Sequence, residues 1–142
     1  MPHEIFTADW AGAWCRELNE SEAYAEAAAD WEGALVLRVA ADPSYGIEEA
    51  RAVLVDLHHG ECREARAAEP SDAEEVPYLI EADPYSWKRV LDGDLDPISG
   101  LMRGKLKLKR GSVVELARYV KAAQELVRAA GRVETSYPEG WA

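Results

Sequence analysis

Short segments with alternating or continuously apolar residues, bounded by turn residues, predict five β-strands in this chain. The predicted strands are residues 34–40, 52–58, 62–68, 78–82 and 105–110. In the sequence KLKLK at residues 105–109, the lysines are expected in solvent and the leucines in a core. Because short connections join the first four strands, we expect these strands to be antiparallel neighbours. Residues 69–76 are rich in acidic residues and are expected to form a loop.

Near the N-terminus the apolar pattern changes to the spacing of a helix. Trp10, Trp14 and Leu18 recur at every fourth position, so they share one face of a helix that Thr7 can cap. A polar interruption follows this face, and the pattern leaves open whether residues 7–30 form one helix or two.

The C-terminal region contains the longest predicted helix. Ser112 and Glu115 form the S-x-x-E pattern of a capping box, and an apolar stripe then continues until Gly131 ends the helix. Such a stripe must cover an apolar surface elsewhere in the molecule.

Two shorter helices are predicted between residues 83 and 104. Asp83 and Asp96 each stand directly before a proline, the combination that favours a helix start. Gly93 and Gly104 follow at the positions where each helix must end. The apolar residues on these short helices indicate a core or a cavity, because no acid, base or nucleophile is organised among them.

The segment WKRVLDGDLDPISGLMRGKLKLKRG, residues 87–111, resembles the sterol carrier protein-2 family. Members of that family carry an aromatic helix start, a G-x-L-D/N-P turn, an apolar helix and a G-K-L-K strand. Here these features match Trp87, residues 93–97, residues 98–102 and residues 104–107. The resemblance extends over about residues 30–125. It implies an α+β fold in which helices cover a five-stranded, largely antiparallel sheet and enclose an apolar tunnel or cavity.

At 142 residues the chain is expected to form a single domain. We expect an N-terminal helical segment at residues 1–32, a core at residues 33–131 and an irregular tail at residues 132–142.

The family resemblance makes the apolar residues of the helices candidates for the cavity lining, although each would equally suit an ordinary core. The candidate ligand-binding residues are Trp87, Leu91, Ile98, Leu101, Met102, Leu116 and Val120.

The net charge of -11 argues against nucleic-acid binding, which requires a surplus of basic residues. The basic residues are concentrated near the fifth strand. There Arg103, Lys105 and Lys107 are candidates for binding an anionic lipid headgroup or a coenzyme A phosphate. The alternative is a solvated strand face whose lysines discourage edge pairing.

The chain shows neither a signal-peptide pattern nor an apolar run long enough to span a bilayer. Cys15 and Cys62 are far apart in the sequence and belong to no paired motif, so we expect reduced thiols and a cytoplasmic location.

The sequence gives little support for catalysis or metal binding. The adjacent residues His58 and His59 are expected to point to opposite faces of a strand, which would prevent one metal ion from binding both. Asp94 and Asp96 are better explained as a turn residue and a helix cap than as a pair of catalytic acids. We therefore expect neither a metal nor another cofactor, and no enzymatic activity; an enzyme using the cavity remains a third hypothesis.

These observations predict a non-catalytic protein that binds and transfers a hydrophobic ligand, namely a fatty acid, an acyl-coenzyme A or a sterol-like lipid. The alternative is an interaction or dimerisation module that keeps the fold without a ligand pocket. In that case the C-terminal helix or the face of Trp10 and Trp14 would contact a partner, with a homodimer as one form.

Overall fold

The computed structural model describes residues 2–138 and 141 and confirms the α+β fold. Its main sheet contains the strands β2 (Glu32–Val39), β3 (Arg51–His58), β4 (Glu61–Ala67), β5 (Tyr78–Ala82) and β6 (Lys107–Arg110). Their order across the sheet is β4-β3-β2-β5-β6. Three of the four strand pairs are antiparallel, as the sequence predicted.

The prediction was wrong for the fourth strand of the sheet. β5 does not pair with β4, which precedes it in the chain, but lies parallel to β2. The chain therefore crosses from one side of β2 to the other between β4 and β5. Parallel neighbours require a crossover connection. Residues 68–77 make this crossing, and so short a segment gave no sign of it in the sequence.

Part of this connection is helical, so the acidic segment at residues 69–76 is not simply a loop. Helix α3 (Pro70–Glu75) begins with a capping box between Glu69 and Asp72. Arg66 donates two hydrogen bonds to Asp72, at 2.7 and 2.9 Å. Ala73 of this helix contacts a small apolar cluster on the second face of the sheet. The acidic residues are thus compatible with a helix because one of them caps it and binds an arginine.

Two helices precede the sheet, which resolves the ambiguity in the sequence. Thr7 caps α1 (Ala8–Asn19) and Ser21 caps the separate α2 (Glu22–Ala27). Trp10 and Trp14 are buried inside the molecule, with ring centroids 5.2 Å apart. Their face is occupied by this chain, so the hypothesis that it carries a partner surface is wrong.

The short helices after β5 begin and end as predicted. The carboxylate of Asp83 accepts hydrogen bonds at the start of α4 (Pro84–Leu91). That of Asp96 accepts from two amides at the start of α5 (Pro97–Met102). Gly93 and Gly104 follow with φ angles of 84° and 74°, a conformation that glycine adopts without steric cost.

The predicted C-terminal helix is interrupted. Ser112 caps α6 (Val113–Leu116), a 3-10 turn follows at Ala117–Tyr119, and α7 (Val120–Gly131) continues to the predicted end. None of the helices in the described parts of the chain has the length and apolar character needed to cross a membrane.

The region predicted as an irregular tail contains a short strand. β7 (Thr135–Ser136) pairs in parallel with β1 (His3–Glu4). Tyr137 and Trp141 then contact each other with ring centroids 5.4 Å apart. Residues 139, 140 and 142 of the predicted tail lie outside the described part of the chain.

The adjacent histidines do not point to opposite faces, as an ideal strand would require. His58 ends β3, but His59 has a φ angle of 50° and already belongs to the turn. Its ring consequently lies against that of His58, with centroids 4.3 Å apart. The geometric argument against a shared metal ion is therefore wrong.

The expectation of free thiols is also wrong, because Cys15 and Cys62 form a disulfide bond. Helix α1 lies along the edge strand β4 and brings the two residues together despite their separation of 47 positions. The side-chain amide of Asn19 reinforces this contact, since it binds both the backbone N–H and the carbonyl of Cys62. A cytoplasmic location stays a prediction, and the cysteines no longer support it.

We expect the disulfide to stabilise the fold by restricting the unfolded chain. For a loop of this length, replacing both cysteines by alanine should lower the free energy of unfolding by about 2–4 kcal/mol. Urea unfolding of the native protein, with and without dithiothreitol, measures this effect. The Cys15→Ala/Cys62→Ala variant is the control, because reductant should leave its midpoint unchanged. A native protein equally insensitive to reductant would contradict the prediction.

Candidate apolar cavity

A cavity of about 100 Å³ lies between one face of the sheet and the helices. Every described α-helix except α3 (Pro70–Glu75) contributes to its lining. The lining residues are Trp14, Tyr24, Trp31, Leu35, Leu37, Ile80, Trp87, Val90, Pro97, Ile98, Leu101, Leu106, Leu116, Tyr119, Ala122, Ala123, Leu126 and Val127.

The sheet side of the cavity follows from the alternation of residues in its two central strands. Leu35 and Leu37 of β2 and Ile80 of β5 face the cavity. Val36, between the two leucines, and Leu79, next to Ile80, belong to the separate apolar cluster on the opposite face. A central strand that is apolar on both faces thus serves the cavity and the second core at once.

The seven predicted lining residues fall into two groups. Trp87, Ile98, Leu101 and Leu116 line the cavity. The other three are outside the lining: Leu91 and Val120 are half-buried, and Met102 is 71% exposed.

Trp87 connects the helical wall of the cavity to the sheet. Its indole nitrogen donates a 2.9 Å hydrogen bond to the carbonyl oxygen of Arg38 in β2. Its ring also contacts that of Phe6 in an edge-to-face arrangement, at 5.4 Å between centroids. The indole therefore presents its apolar surface to the cavity while its polar atom is satisfied.

Four aromatic residues that the sequence did not indicate as ligand-binding also line the cavity. These are Trp14 of α1, Tyr24 of α2, Trp31 ahead of β2 and Tyr119 in the 3-10 turn. The ring of Trp31 lies between those of Tyr78 and Tyr119, at 5.0 and 4.9 Å. Their aromatic character was visible in the sequence, but their convergence depends on contacts between remote segments.

Two polar atoms of these aromatic residues lack hydrogen bonds. The hydroxyl of Tyr24 and the indole nitrogen of Trp31 are buried and have no hydrogen-bond partner among the described residues. Burial raises the pKa of the Tyr24 phenol above its ordinary value, so the phenol stays a neutral donor at physiological pH. Each unsatisfied buried donor costs about 1–3 kcal/mol.

Tyr78, beside Trp31, is in contrast fully paired. Its hydroxyl donates a 2.7 Å hydrogen bond to the Glu115 carboxylate at the start of α6. Burial, followed by this hydrogen bond, raises the pKa of Tyr78 to about 12. This contact fixes the start of the interrupted C-terminal helix to the sheet.

The basic residues proposed for headgroup binding lie on the surface next to the cavity. Arg103, Lys105 and Lys107 are exposed. Leu101, two residues before Arg103, and Leu106, between Lys105 and Lys107, line the cavity. The same short segment therefore contributes apolar side chains to the interior and cations to the solvent.

The volume of the cavity is small compared with most ligand sites. Drug-sized ligands occupy pockets of about 300–1,000 Å³, and an apolar cavity of about 150 Å³ holds a benzene molecule. A long acyl chain would require the lining to move outward. Ala123, Leu126 and Val127 of α7 are only half-buried, so we expect this helix to be the part of the wall that moves.

The arrangement has close counterparts among known proteins. A crystal structure of sterol carrier protein 2 is 52% identical to this chain; the match covers 92% of this chain and 99% of the other, with a TM-score of 0.83. A conserved hypothetical protein from Thermus thermophilus, suggested to be a sterol carrier protein, is 48% identical, with coverages of 99% and 96% and a TM-score of 0.84.

A third structure shows that the fold extends to distant sequences. The apo form of Sterol Carrier Protein 2 from Yarrowia lipolytica is 15% identical to this chain. The match covers 89% of this chain and 98% of the Yarrowia chain, with a TM-score of 0.58. A search among curated proteins found no match. Residues 13–121, more than half of the chain, match the SCP-2 sterol transfer family. The chain belongs to the SCP-2 sterol transfer family.

Proposed function

We propose that the protein binds a hydrophobic ligand in the cavity and transfers it without catalysis. The ligand is a fatty acid, an acyl-coenzyme A or a sterol-like lipid. The observation that carries this proposal is the cavity lining, which is apolar on the sheet side and on the helical side. Burial of each methylene group contributes about 0.8 kcal/mol, so a long chain binds tightly without many polar contacts.

The unpaired donors of Tyr24 and Trp31 support binding of a ligand with one polar end. A carboxylate, ester carbonyl or sterol hydroxyl can accept a hydrogen bond from either donor. Such a contact would remove the desolvation cost that these buried groups carry in its absence. The apolar surface would then supply most of the affinity, and the two donors the orientation.

Filling the cavity should reduce lipid affinity. In Leu101→Trp, the indole should exclude about two methylene groups of the ligand from the cavity. This should cost about 1.6 kcal/mol of binding free energy, or roughly tenfold in affinity for palmitate. Native mass spectrometry after lipid extraction, titrated with palmitate, measures this loss. Met102→Trp is the matched control, because Met102 is 71% exposed and its replacement should leave affinity unchanged. Equal loss in both variants, or in neither, would contradict this location for the site.

Removing the Tyr24 hydroxyl should separate binding from stability. Tyr24→Phe eliminates a buried, unsatisfied group, so the extracted protein should unfold at an equal or higher temperature. Its affinity for palmitate should fall by about 2- to 10-fold, because the ligand loses a hydrogen bond. Calorimetry and palmitate titration provide the two values, and Tyr85→Phe at an exposed position of α4 is the control. A Tyr24→Phe variant that is destabilised and binds palmitate normally would refute this role.

The basic segment supports recognition of an anionic headgroup. Arg103→Glu/Lys105→Glu should weaken the binding of palmitoyl-coenzyme A severalfold at low salt. The affinity for palmitate should stay nearly unchanged, because palmitate carries no phosphate groups. Arg63→Glu/Lys121→Glu changes the net charge equally at exposed positions outside this segment and serves as control. Isothermal titration at two salt concentrations compares the variants. Equal weakening of palmitoyl-coenzyme A binding in the two double variants would indicate an effect of overall charge alone.

The alternative function is an interaction or dimerisation module. Two observations favour it: the small cavity volume, and the exposure of Met102 (71%) and Val114 (72%) on the consecutive helices α5 and α6. A protein that neither retains nor acquires lipid in the mass spectra and forms dimers with rising concentration would support it. A lipid-loaded monomer would exclude it.

A further inference from the structure

A group of potential metal ligands lies where β2 begins and β3 ends. Glu32 and His58 are directly opposed partners in the antiparallel register of these strands. Opposed residues project from the same face of a sheet, and here Oε1 of Glu32 is 3.2 Å from Nδ1 of His58. That nitrogen is buried but makes no hydrogen bond among the described residues.

The turn after β3 brings His59 to the same place. Its φ angle of 50° lies in the left-handed region and directs its ring toward His58 instead of the opposite face. The backbone N–H of His59 donates a 2.7 Å hydrogen bond to the carbonyl oxygen of Trp31. The following Gly60 contacts α2 so closely that a Cβ atom there would lie 2.6 Å from the carbonyl oxygen of Ala25. The strained conformation is thus held from both sides.

The hydrogen bonding of His59 determines which of its nitrogens can bind a metal. Nδ1 lies 2.8 Å from the carbonyl oxygen of Ala29, which can only accept. The proton therefore resides on Nδ1, and Nε2 carries the lone pair. Metal-binding histidines typically have this arrangement, in which one ring nitrogen donates to a carbonyl and the other binds the ion.

We propose that Glu32, His58 and His59 bind a divalent transition-metal ion, Zn²⁺ in the first instance, with water as the fourth ligand. One potential ligand atom from each residue lies within 4.8 Å of those of the other two. Tetrahedral Zn²⁺ with bonds of about 2.1 Å separates its ligands by about 3.4 Å. The distance between Glu32 and His58 already approaches this value, and the 65% exposed Glu32 side chain is free to rotate toward His59.

The chemistry of the three ligands selects among metals. Two imidazole nitrogens and one carboxylate suit Zn²⁺, Cu²⁺ and Ni²⁺, whereas Mg²⁺ and Ca²⁺ prefer sites made of oxygens. The site is independent of the proposed lipid function, because none of its three ligands lines the cavity.

Titration of the oxidised, tag-free protein with Zn²⁺ tests the site. Calorimetry should show saturable binding of one ion per chain, and Co²⁺ should give the visible absorption of a low-symmetry, nitrogen-containing site. His58→Gln and His59→Asn should each weaken Zn²⁺ binding at least about tenfold. Asparagine is chosen because it tolerates the left-handed conformation, so the turn is retained. Circular dichroism verifies the fold of each variant.

The third histidine of the chain provides the control. His3 lies on β1, outside the cluster, and His3→Gln should bind Zn²⁺ like the native protein. Glu32→Gln provides a second variant should a histidine replacement disturb the turn. Absence of a saturable Zn²⁺ site would overturn the proposal. So would equal weakening in His3→Gln, or Mg²⁺ binding as tight as that of Zn²⁺, which would indicate general attraction to the acidic surface.

Discussion

The parallel pairing of β2 with β5 is the constraint on which the rest of the structure depends. It obliges the chain to leave the edge strand β4 and cross to the far side of β2 before it can continue. Helix α3 lies in this crossing and contacts the second face of the sheet. The helices that follow β5 then return to the first face, where α1 and α2 already lie. The cavity forms because two groups of helices, from opposite ends of the chain, meet over the same two strands.

The cavity is continuous with the hydrophobic core, and its polar groups depart from the usual rules for a core. Most buried donors in proteins are paired, as Trp10, Trp14 and Trp87 are through their indole nitrogens. The unpaired donors of Tyr24 and Trp31 are therefore a cost located at the cavity, and among the described residues they are joined by the buried, unpaired His58 Nδ1 and Trp141 Nε1 elsewhere in the fold. Such departures are expected where a structure serves a function in addition to its own stability.

Features encoded by neighbouring residues could be predicted from the sequence, whereas features that depend on remote contacts could not. The caps of α4 and α5 and the alternation in β6 are local, and the structure retains them. Leu101 and Met102 differ in burial because a six-residue helix is too short for its apolar pattern to define an inward face. Tyr24 reaches the cavity, and Cys15 reaches Cys62, only through the packing of the N-terminal helices onto the rest of the fold.

One consequence follows from the shared lining of cavity and core, since most of the lining residues also belong to the main buried cluster and nearly all the others pack against it. A bound lipid would complete the interior of the protein, and a ligand present at about 100 times its dissociation constant would add about 2.7 kcal/mol to the free energy of unfolding. The melting temperature of a preparation would then report how much cargo it carries. Samples from different hosts or growth conditions could differ in heat resistance while their amino-acid sequence stays the same.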